Sequence, residues 1–151
     1  MKKKILLALF VGGAVAVAVA QKLKASAVPA AVKSSFAKSY PGITAKWEME
    51  AGKYEAGFKK NGSDMSVLFE KNGTMTESET DIKTTDLPAT VLAYVAAHYK
   101  GKKINEAAKI TTAAGVVTFE AEVGDTDVIF DASGKFLKEV KEPKENKEGK
   151  D

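Results

Sequence analysis

The chain has 151 residues, of which 44% are hydrophobic and 28% charged, a composition typical of a globular protein with a buried core. It contains no cysteine, which excludes disulfides, thiolate nucleophiles, iron–sulfur clusters and cysteine zinc sites. The formal net charge is +3, yet every cation is lysine. Because arginine is the usual residue for bidentate capture of phosphate, this composition argues against nucleic-acid binding.

Residues 1–20, "MKKKILLALFVGGAVAVAVA", are predicted to be a secretory signal peptide. Three lysines precede an apolar run that ends in Ala18-Val19-Ala20, the small-residue pattern of a cleavage site. The competing interpretation is an uncleaved membrane anchor, but the run is shorter than the about twenty residues that a membrane span needs. We therefore predict a bacterial protein that is periplasmic or secreted, without stable membrane insertion after cleavage.

Two amphipathic helices are predicted, the first after an N-terminal linker at residues 21–27. In "VPAAVKSSFAKSYPG" and "LPATVLAYVAAHYKG", apolar residues recur at three- and four-residue spacing between a proline near the start and a glycine at the end. Pro29, Tyr40 and Gly42 of the first segment align with Pro88, Tyr99 and Gly101 of the second, whereas Lys100 replaces Pro41. The end of the second helix is therefore less firmly specified than that of the first.

Four short segments with alternating polarity follow each helix, separated by glycine and asparagine turn signals, and are predicted to be strands. Asn61-Gly62 and Asn72-Gly73 fit the preferred hairpin turn, an interpretation we favour over N-glycosylation. The predicted strands are residues 43–51, 53–60, 64–71 and 74–80 in the first half and 104–112, 116–123, 126–131 and 135–140 in the second.

The two halves are copies of one unit. Tyr54-Glu55-Ala56 matches Phe119-Glu120-Ala121, and Val67-Leu68-Phe69 matches Val128-Ile129-Phe130. A unit of this size is marginally stable alone, so the copies are expected to share one core. We predict an α+β fold, a tandem repeat of a helix plus a four-stranded antiparallel sheet, in which both copies share one sheet with helices on one face. The predicted boundaries are 28–80 for the first repeat, 81–86 for a linker, 87–140 for the second repeat and 141–151 for a disordered charged tail.

Strand alternation divides the predicted sheet into two faces. The helix face carries the apolar residues, and the opposite face, which we call the acidic face, carries most of the carboxylates. The acidic face is either a solvated polar surface or a docking surface with Leu68 and Ile129 at its open, apolar centre. The helix face is predicted to carry Trp47, Met49, Tyr54, Ala56, Phe58, Met65, Val67, Phe69, Val117, Phe119, Ala121, Val123, Val128 and Phe130. The candidate partner-binding residues of the docking interpretation are Glu55, Leu68, Glu70, Glu120, Glu122 and Ile129.

No catalytic, cofactor-binding or metal site is predicted. His98 is the single histidine and lacks the partners that catalysis or metal binding requires, so we interpret it as a structural or surface residue. The acidic stretches 77–81 and 124–127 lack the length and ligand order of a calcium loop. Nucleophile, phosphate-binding and dinucleotide motifs are absent from the sequence, so we predict that the protein is not an enzyme.

The arrangement resembles the PepSY-like family of bacterial periplasmic proteins, which is similar in fold to the beta-lactamase inhibitory protein. The resemblance covers residues 26–140 and implies a small exported module without catalytic residues that binds or inhibits other proteins. The residues that carry it are Pro29, Phe36, Tyr40, Pro41, Gly42, Tyr54, Glu55, Phe69 and Gly73, repeated as Pro88, Tyr99, Gly101, Phe119, Glu120, Phe130 and Gly134.

Two functional hypotheses remain after the sequence is considered. The first is a monomeric, non-enzymatic module that binds an unknown envelope protein or peptide through the open face of its sheet. The second is a carrier of a small ligand or cation in the cell envelope, which would use the carboxylates of the same face. Neither hypothesis requires a cofactor.

Overall fold

The computed structural model describes residues 21–141, so the predicted signal peptide and all of the predicted tail except Lys141 lie outside the described residues. The described chain forms two α-helices, two short 3-10 helices and a nine-stranded sheet. The elements in chain order are β1 Gln21–Leu23, a 3-10 helix Ala25–Ala27, α1 Ala30–Ser39, β2 Lys46–Glu50, β3 Lys53–Lys60, β4 Ser63–Phe69, β5 Met75–Ile82, a 3-10 helix Thr84–Asp86, α2 Ala89–His98, β6 Glu106–Thr112, β7 Val117–Glu122, β8 Thr126–Asp131 and β9 Phe136–Lys141.

The strands lie in the sheet in the order in which they occur along the chain, and each is antiparallel to its neighbours. The β3–β4 hairpin turns at Asn61 and Gly62, which have φ values of 52° and 83°. Positive φ at both central residues is the geometry for which Asn-Gly is preferred. The turn predicted at this position is confirmed.

Four strands follow each helix, β2 to β5 after α1 and β6 to β9 after α2, but the exact predicted layout is not confirmed, because the unpredicted strand β1 precedes α1. Strand β1 lies within the range predicted as a linker, and its three residues are too few to show alternation. Strand β5 pairs with β4 through Met75–Thr80 and with β6 through Glu77–Ile82, and it ends inside the predicted second linker. One strand thus closes the first copy and opens the second, which joins them in one sheet.

Both helices pack on the helix face of the sheet, as predicted. Phe36 of α1 is buried, with its ring centroid 5.2 Å from that of Phe58 and 5.5 Å from that of Trp47. In the second half, Val91 and Val95 of α2 occupy the corresponding place. The residues under each helix form a cluster of their own, so the expectation of one shared core was wrong. The first core cluster comprises Val28, Val32, Phe36, Trp47, Ala56, Phe58, Val67 and Phe69, and the second comprises Leu87, Val91, Val95, Ala107, Ala121, Val123, Val128 and Phe130.

The two helices end in the same way despite the substitution at Lys100. The N–H of Tyr40 donates to the carbonyl of Phe36 at 2.8 Å, and the N–H of Tyr99 donates to the carbonyl of Val95 at the same distance. The glycine that follows each helix has a φ of 76°. The expectation of a less firmly specified second end was wrong, because this cap depends on the backbone and the glycine rather than on the proline.

A glycine in each copy lets a hairpin contact the first turn of the helix above it. A Cβ on Gly73 would lie 2.7 Å from the carbonyl oxygen of Ala31, and a Cβ on Gly134 would overlap the Thr90 side chain. Both glycines have positive φ, at 87° and 81°. These positions require glycine both for backbone conformation and for the close approach of the helix.

We expect Gly73→Ala to reduce the free energy of unfolding by about 2 kcal/mol more than Gly52→Ala. Both substitutions incur the strain of a positive φ, but the Cβ at position 52 meets nothing within 4 Å, whereas the Cβ at 73 meets a helix carbonyl. Urea unfolding of the two variants measures the difference. Equal losses would show that α1 does not rest closely on the β4–β5 turn.

Candidate functional site

The acidic face is built from side chains that point away from both helices. The strand registers place Glu48, Glu55, Leu68 and Glu77 in one row across β2 to β5. The next row contains Ser66, Glu79, Ile110 and Thr118 across β4 to β7, and the one after it contains Asp81, Ala108, Glu120 and Ile129 across β5 to β8.

Charge is distributed unevenly over this face. From β4 to β8, every charged side chain that the register places on the acidic face is a carboxylate. The lysines of the same face lie on the strands near its two edges, at Lys22, Lys46, Lys53, Lys59 and Lys138. Two of them contact nearby acids, with 3.3 Å between Lys53 Nζ and Glu70 Oε1 and 2.9 Å between Lys59 Nζ and Asp64 Oδ2. The centre of the face is therefore a region of negative charge.

The apolar residues of the acidic face are buried. Leu68 and Ile129 are each 1% exposed, so the expectation that they stand open to solvent was wrong. Ile110 lies between them on β6 and is also 1% exposed. Alternation assigned these residues to the correct face, but burial depends on contacts across the whole sheet, which alternation within one strand does not report.

The six candidate binding residues fall into two groups. Glu55 and Glu120 are buried near the centre with Leu68 and Ile129. Glu70 and Glu122 are half-buried at the margins, where Glu70 contacts Lys53 and Glu122 Oε1 accepts a hydrogen bond from Asn105 Nδ2 at 3.1 Å. The structure therefore brings four of the six together and places two on the rim.

Sequence reasoning missed three central residues of the face, which are Glu77, Glu79 and Ile110. The strands that carry them, β5 and β6, were predicted, but they were not divided into faces. In the segments "ESETDI" and "AAKIT", every second side chain points to the same side of the sheet. Dividing these strands in that way places Glu77, Glu79 and Ile110 on the acidic face.

Three buried oxygens of this face have no hydrogen-bond partner. They are Ser66 Oγ, Thr118 Oγ1 and Glu50 Oε2, and the residues that carry them are 0%, 3% and 5% exposed. Buried polar groups without a hydrogen-bond partner are unfavourable by roughly 1–3 kcal/mol each. Ser66 and Thr118 lie in one cross-strand row with Glu79 and Ile110, at the middle of the face.

The carboxylates of the face affect the protonation of Glu50. Burial first, and then the neighbouring charges of Glu55, Glu79, Glu77 and Glu48, together raise the pKa of the Glu50 carboxyl from 4.5 to about 8. Lys53 lies opposite Glu50 in the register, but its ammonium group contacts Glu70 and Thr76 instead. Glu50 is therefore protonated in the folded protein at neutral pH.

We expect Glu50→Gln to stabilise the protein at high pH. A carboxyl whose pKa is raised on folding opposes folding progressively as the pH rises from 4.5 towards about 8. The free energy of unfolding of the variant should exceed that of the parent by roughly 5 kcal/mol above pH 8, and the gain should vanish near pH 4.

Chemical denaturation across that pH range, with Asp86→Asn as a control for loss of an exposed carboxylate, measures the effect. A gain for Glu50→Gln that is the same at pH 4 and pH 9 would contradict the burial of an uncharged carboxyl at this position.

Within residues 21–141, no group of three or more histidine, cysteine, aspartate or glutamate side chains is arranged to hold a metal ion. His98 lies on the exposed side of α2, where Nδ1 donates to the Tyr94 carbonyl at 2.9 Å and the ring stacks on that of Tyr94 at 3.9 Å. These contacts give the histidine a structural setting.

In the same range, neither helix has the length and apolar character needed to cross a membrane.

Comparison with known proteins identifies one family. Residues 17–77 and 52–138 each match the family described as "putative beta-lactamase-inhibitor-like, PepSY-like". The first match covers most of the first copy, and the second runs from strand β3 of the first copy into strand β9 of the second. No curated protein matches the chain.

Solved structures from Bacteroides share the fold. A DUF2874 family protein of Bacteroides uniformis superposes with a TM-score of 0.68 at 23% identity, over 75% of this chain and 88% of that one. A "putative periplasmic" protein of Bacteroides eggerthii gives 0.67 at 22% identity, over 76% and 88%. A BLIP-like protein of Bacteroides fragilis gives 0.58 at 24% identity, over 75% and 86%.

Proposed function

The chain belongs to the PepSY-like, beta-lactamase-inhibitor-like family, and from that premise we propose that it is a non-enzymatic periplasmic module that binds an envelope protein or peptide through its acidic face. The observation that supports this proposal most directly is the asymmetry of the sheet. Both helices pack on one face of the sheet. Neither helix covers the other face, which has buried aliphatic residues at its centre and carboxylates around them.

This combination has the chemistry of a recognition surface. The aliphatic side chains of Leu68, Ile110 and Ile129 are buried at the centre, so a partner would contact the half-buried side chains around them, such as Glu48, Asp81 and Glu122. The surrounding carboxylates provide a field of one sign, which accelerates encounter with a complementary partner and disfavours partners of like charge. The exposed surfaces of the helices lack such a combination, since α1 presents lysines among small residues.

The comparisons agree with a binding role but do not identify its target. The fragilis protein is described as BLIP-like, which at this identity supports the fold, and fold alone does not determine function. We prefer binding of a protein or peptide to carriage of a cation, because the described carboxylates form no group suited to a metal ion.

Charge reversal at the rim of the acidic face tests the proposal. We expect Glu48→Lys combined with Glu122→Lys to reduce recovery of the partner from envelope extract by about tenfold or more, since charge reversals at an interface impair association. Both positions are half-buried, so the substitutions leave the two core clusters intact. Quantitative affinity capture followed by mass spectrometry measures the recovery.

The matched control is Asp86→Lys, which reverses an exposed charge beside α2, away from the acidic face. It should leave the recovery unchanged, and all variants should retain the melting temperature of the parent. Recovery that is unaffected by the rim variant, or reduced equally by the control, would overturn the assignment of binding to this face.

A further inference from the structure

We infer that the helix side of the protein adsorbs to a membrane surface that carries anionic lipid headgroups, and that the acidic face then points away from the membrane. The helix side comprises the two connecting segments that contain the helices, 24–45 and 83–105, and the strand residues that point towards them. It lies on the opposite side of the sheet from the acidic face and is separate from the surface of the proposed function. Three observations support adsorption: the sign of the charge, the extent of the charged surface, and the residue type that carries it.

The sheet separates charge by sign. The segments 24–45 and 83–105 contain seven lysines and one carboxylate, that of Asp86. Neither α1 nor α2 contains an acidic residue. Within residues 21–141, the charged strand residues that point to the helix side are Lys60, Lys109, Lys141 and Glu139. The helix side is therefore cationic, whereas the centre of the acidic face is anionic.

The cations are concentrated where the helices end. Tyr40 follows α1 and packs on Phe58 with ring centroids 4.6 Å apart, and Lys60 Nζ lies 5.2 Å from the centroid of the Tyr40 ring. After α2, Lys102 Nζ would lie 3.7 Å from a Cβ on Gly124, in the turn between β7 and β8. Strands β3, β5 and β7 run in the same direction, so their ends and both helix ends lie at one end of the sheet. The basic surface, as we call it, comprises Lys38, Lys60, Lys83, Lys100, Lys102 and Lys103, all of which are exposed.

Neither helix ends nor ion pairs account for the basic surface. A cation in the last turn of a helix interacts favourably with the helix dipole, which explains Lys38. That effect falls off beyond the last turn, whereas Lys60 and Lys83 lie at the ends of strands. Within residues 21–141, the ion pairs are those of Lys53 and Lys59, both on the acidic face. The charge of the basic surface is therefore available to a partner.

The basic surface is broad, which fits an extended partner. It runs from β3 to the turn after β7, and strands about 4.8 Å apart make this a distance of about 20 Å. A small anion would contact the lysines at one end of that distance only. A layer of lipid headgroups would contact the lysines along its whole length.

The use of lysine alone favours a fluid anionic surface. Arginine binds a fixed phosphate or carboxylate through paired hydrogen bonds, whereas lysine is a point charge on a flexible stem. Lysine side chains can therefore follow headgroups that move in the plane of a membrane. Clusters of about four to eight basic residues bind anionic membranes, and each lysine contributes about fivefold to the affinity. We favour a lipid surface over an acidic protein for this reason.

Binding of the exported protein to vesicles tests the inference. We expect its partition coefficient to be at least about tenfold higher on phosphatidylcholine vesicles that contain about 30% phosphatidylglycerol than on pure phosphatidylcholine vesicles, as measured by cosedimentation. The difference should shrink as salt increases from about 50 to about 300 mM, because salt screens exposed charges.

Reversing two charges of the basic surface tests which side of the protein binds. Lys100→Glu combined with Lys103→Glu should lower the partition coefficient on the anionic vesicles by about tenfold or more. The matched control is Lys22→Glu combined with Lys46→Glu, which changes the net charge equally but on the acidic face. All four lysines are exposed. The control should change the partition coefficient by less than about twofold, because its charges lie more than about one Debye length from the membrane.

Lysine acetylation followed by mass spectrometry tests the orientation in the parent chain, even where a variant folds poorly. With anionic vesicles present, Lys100 and Lys103 should react several-fold more slowly than without vesicles, because headgroups cover them. Lys22 and Lys46 should react at an unchanged rate.

Equal partition on neutral and anionic vesicles, equal losses for the two double variants, or equal protection of the two pairs of lysines would overturn the inference. Binding of polyglutamate by a protein that does not bind anionic vesicles would also overturn it, in favour of an acidic protein partner. The proposed function is tested separately, by capture of the natural partner on the acidic face.

Discussion

The pairing of β5 with β6 is the interaction on which the rest of the structure depends. It aligns Glu77–Ile82 with Ala107–Thr112 and joins two copies of a small unit into one antiparallel sheet. Strand alternation then fixes the side on which each residue lies, so both helices pack against the same face. The other face becomes continuous across the junction, and Ile110 of the second copy comes to lie between Leu68 of the first and Ile129 of the second.

The two faces are stabilised by different physics. On the helix face, burial of aromatic and aliphatic side chains provides the free energy of folding, and glycines at equivalent turns let each helix approach closely. On the acidic face, carboxylates are held near one another and polar oxygens lack donors, which opposes folding. This energetic contrast between the two faces supports the proposed function of the acidic face.

Much of the fold follows from the sequence, because the signals involved are local. The predicted limits of β3 and β8, at 53–60 and 126–131, coincide with those observed, and both helices and the helix face are confirmed. Strand β1 was missed because three residues are too few to show the alternation of polar and apolar side chains that is typical of a strand. Its strand geometry depends on pairing with β2. The register of neighbouring strands buries Leu68 and Ile129 and places Ile110 at the centre of the face. That register cannot be read from any one strand segment of the sequence. The predicted signal peptide lies outside the described residues and stays a prediction.

Native-state hydrogen exchange tests most directly the claim that the two copies form one sheet. We expect the amides of Val67, Glu79, Ile110 and Val128 to exchange with one free energy, equal to that of global unfolding, because β4 to β8 open together. Exchange of the β3–β4 amides at a lower free energy than those of β7–β8, with one half open while the other stays closed, would contradict it. The acidic face would then be two separate surfaces rather than one.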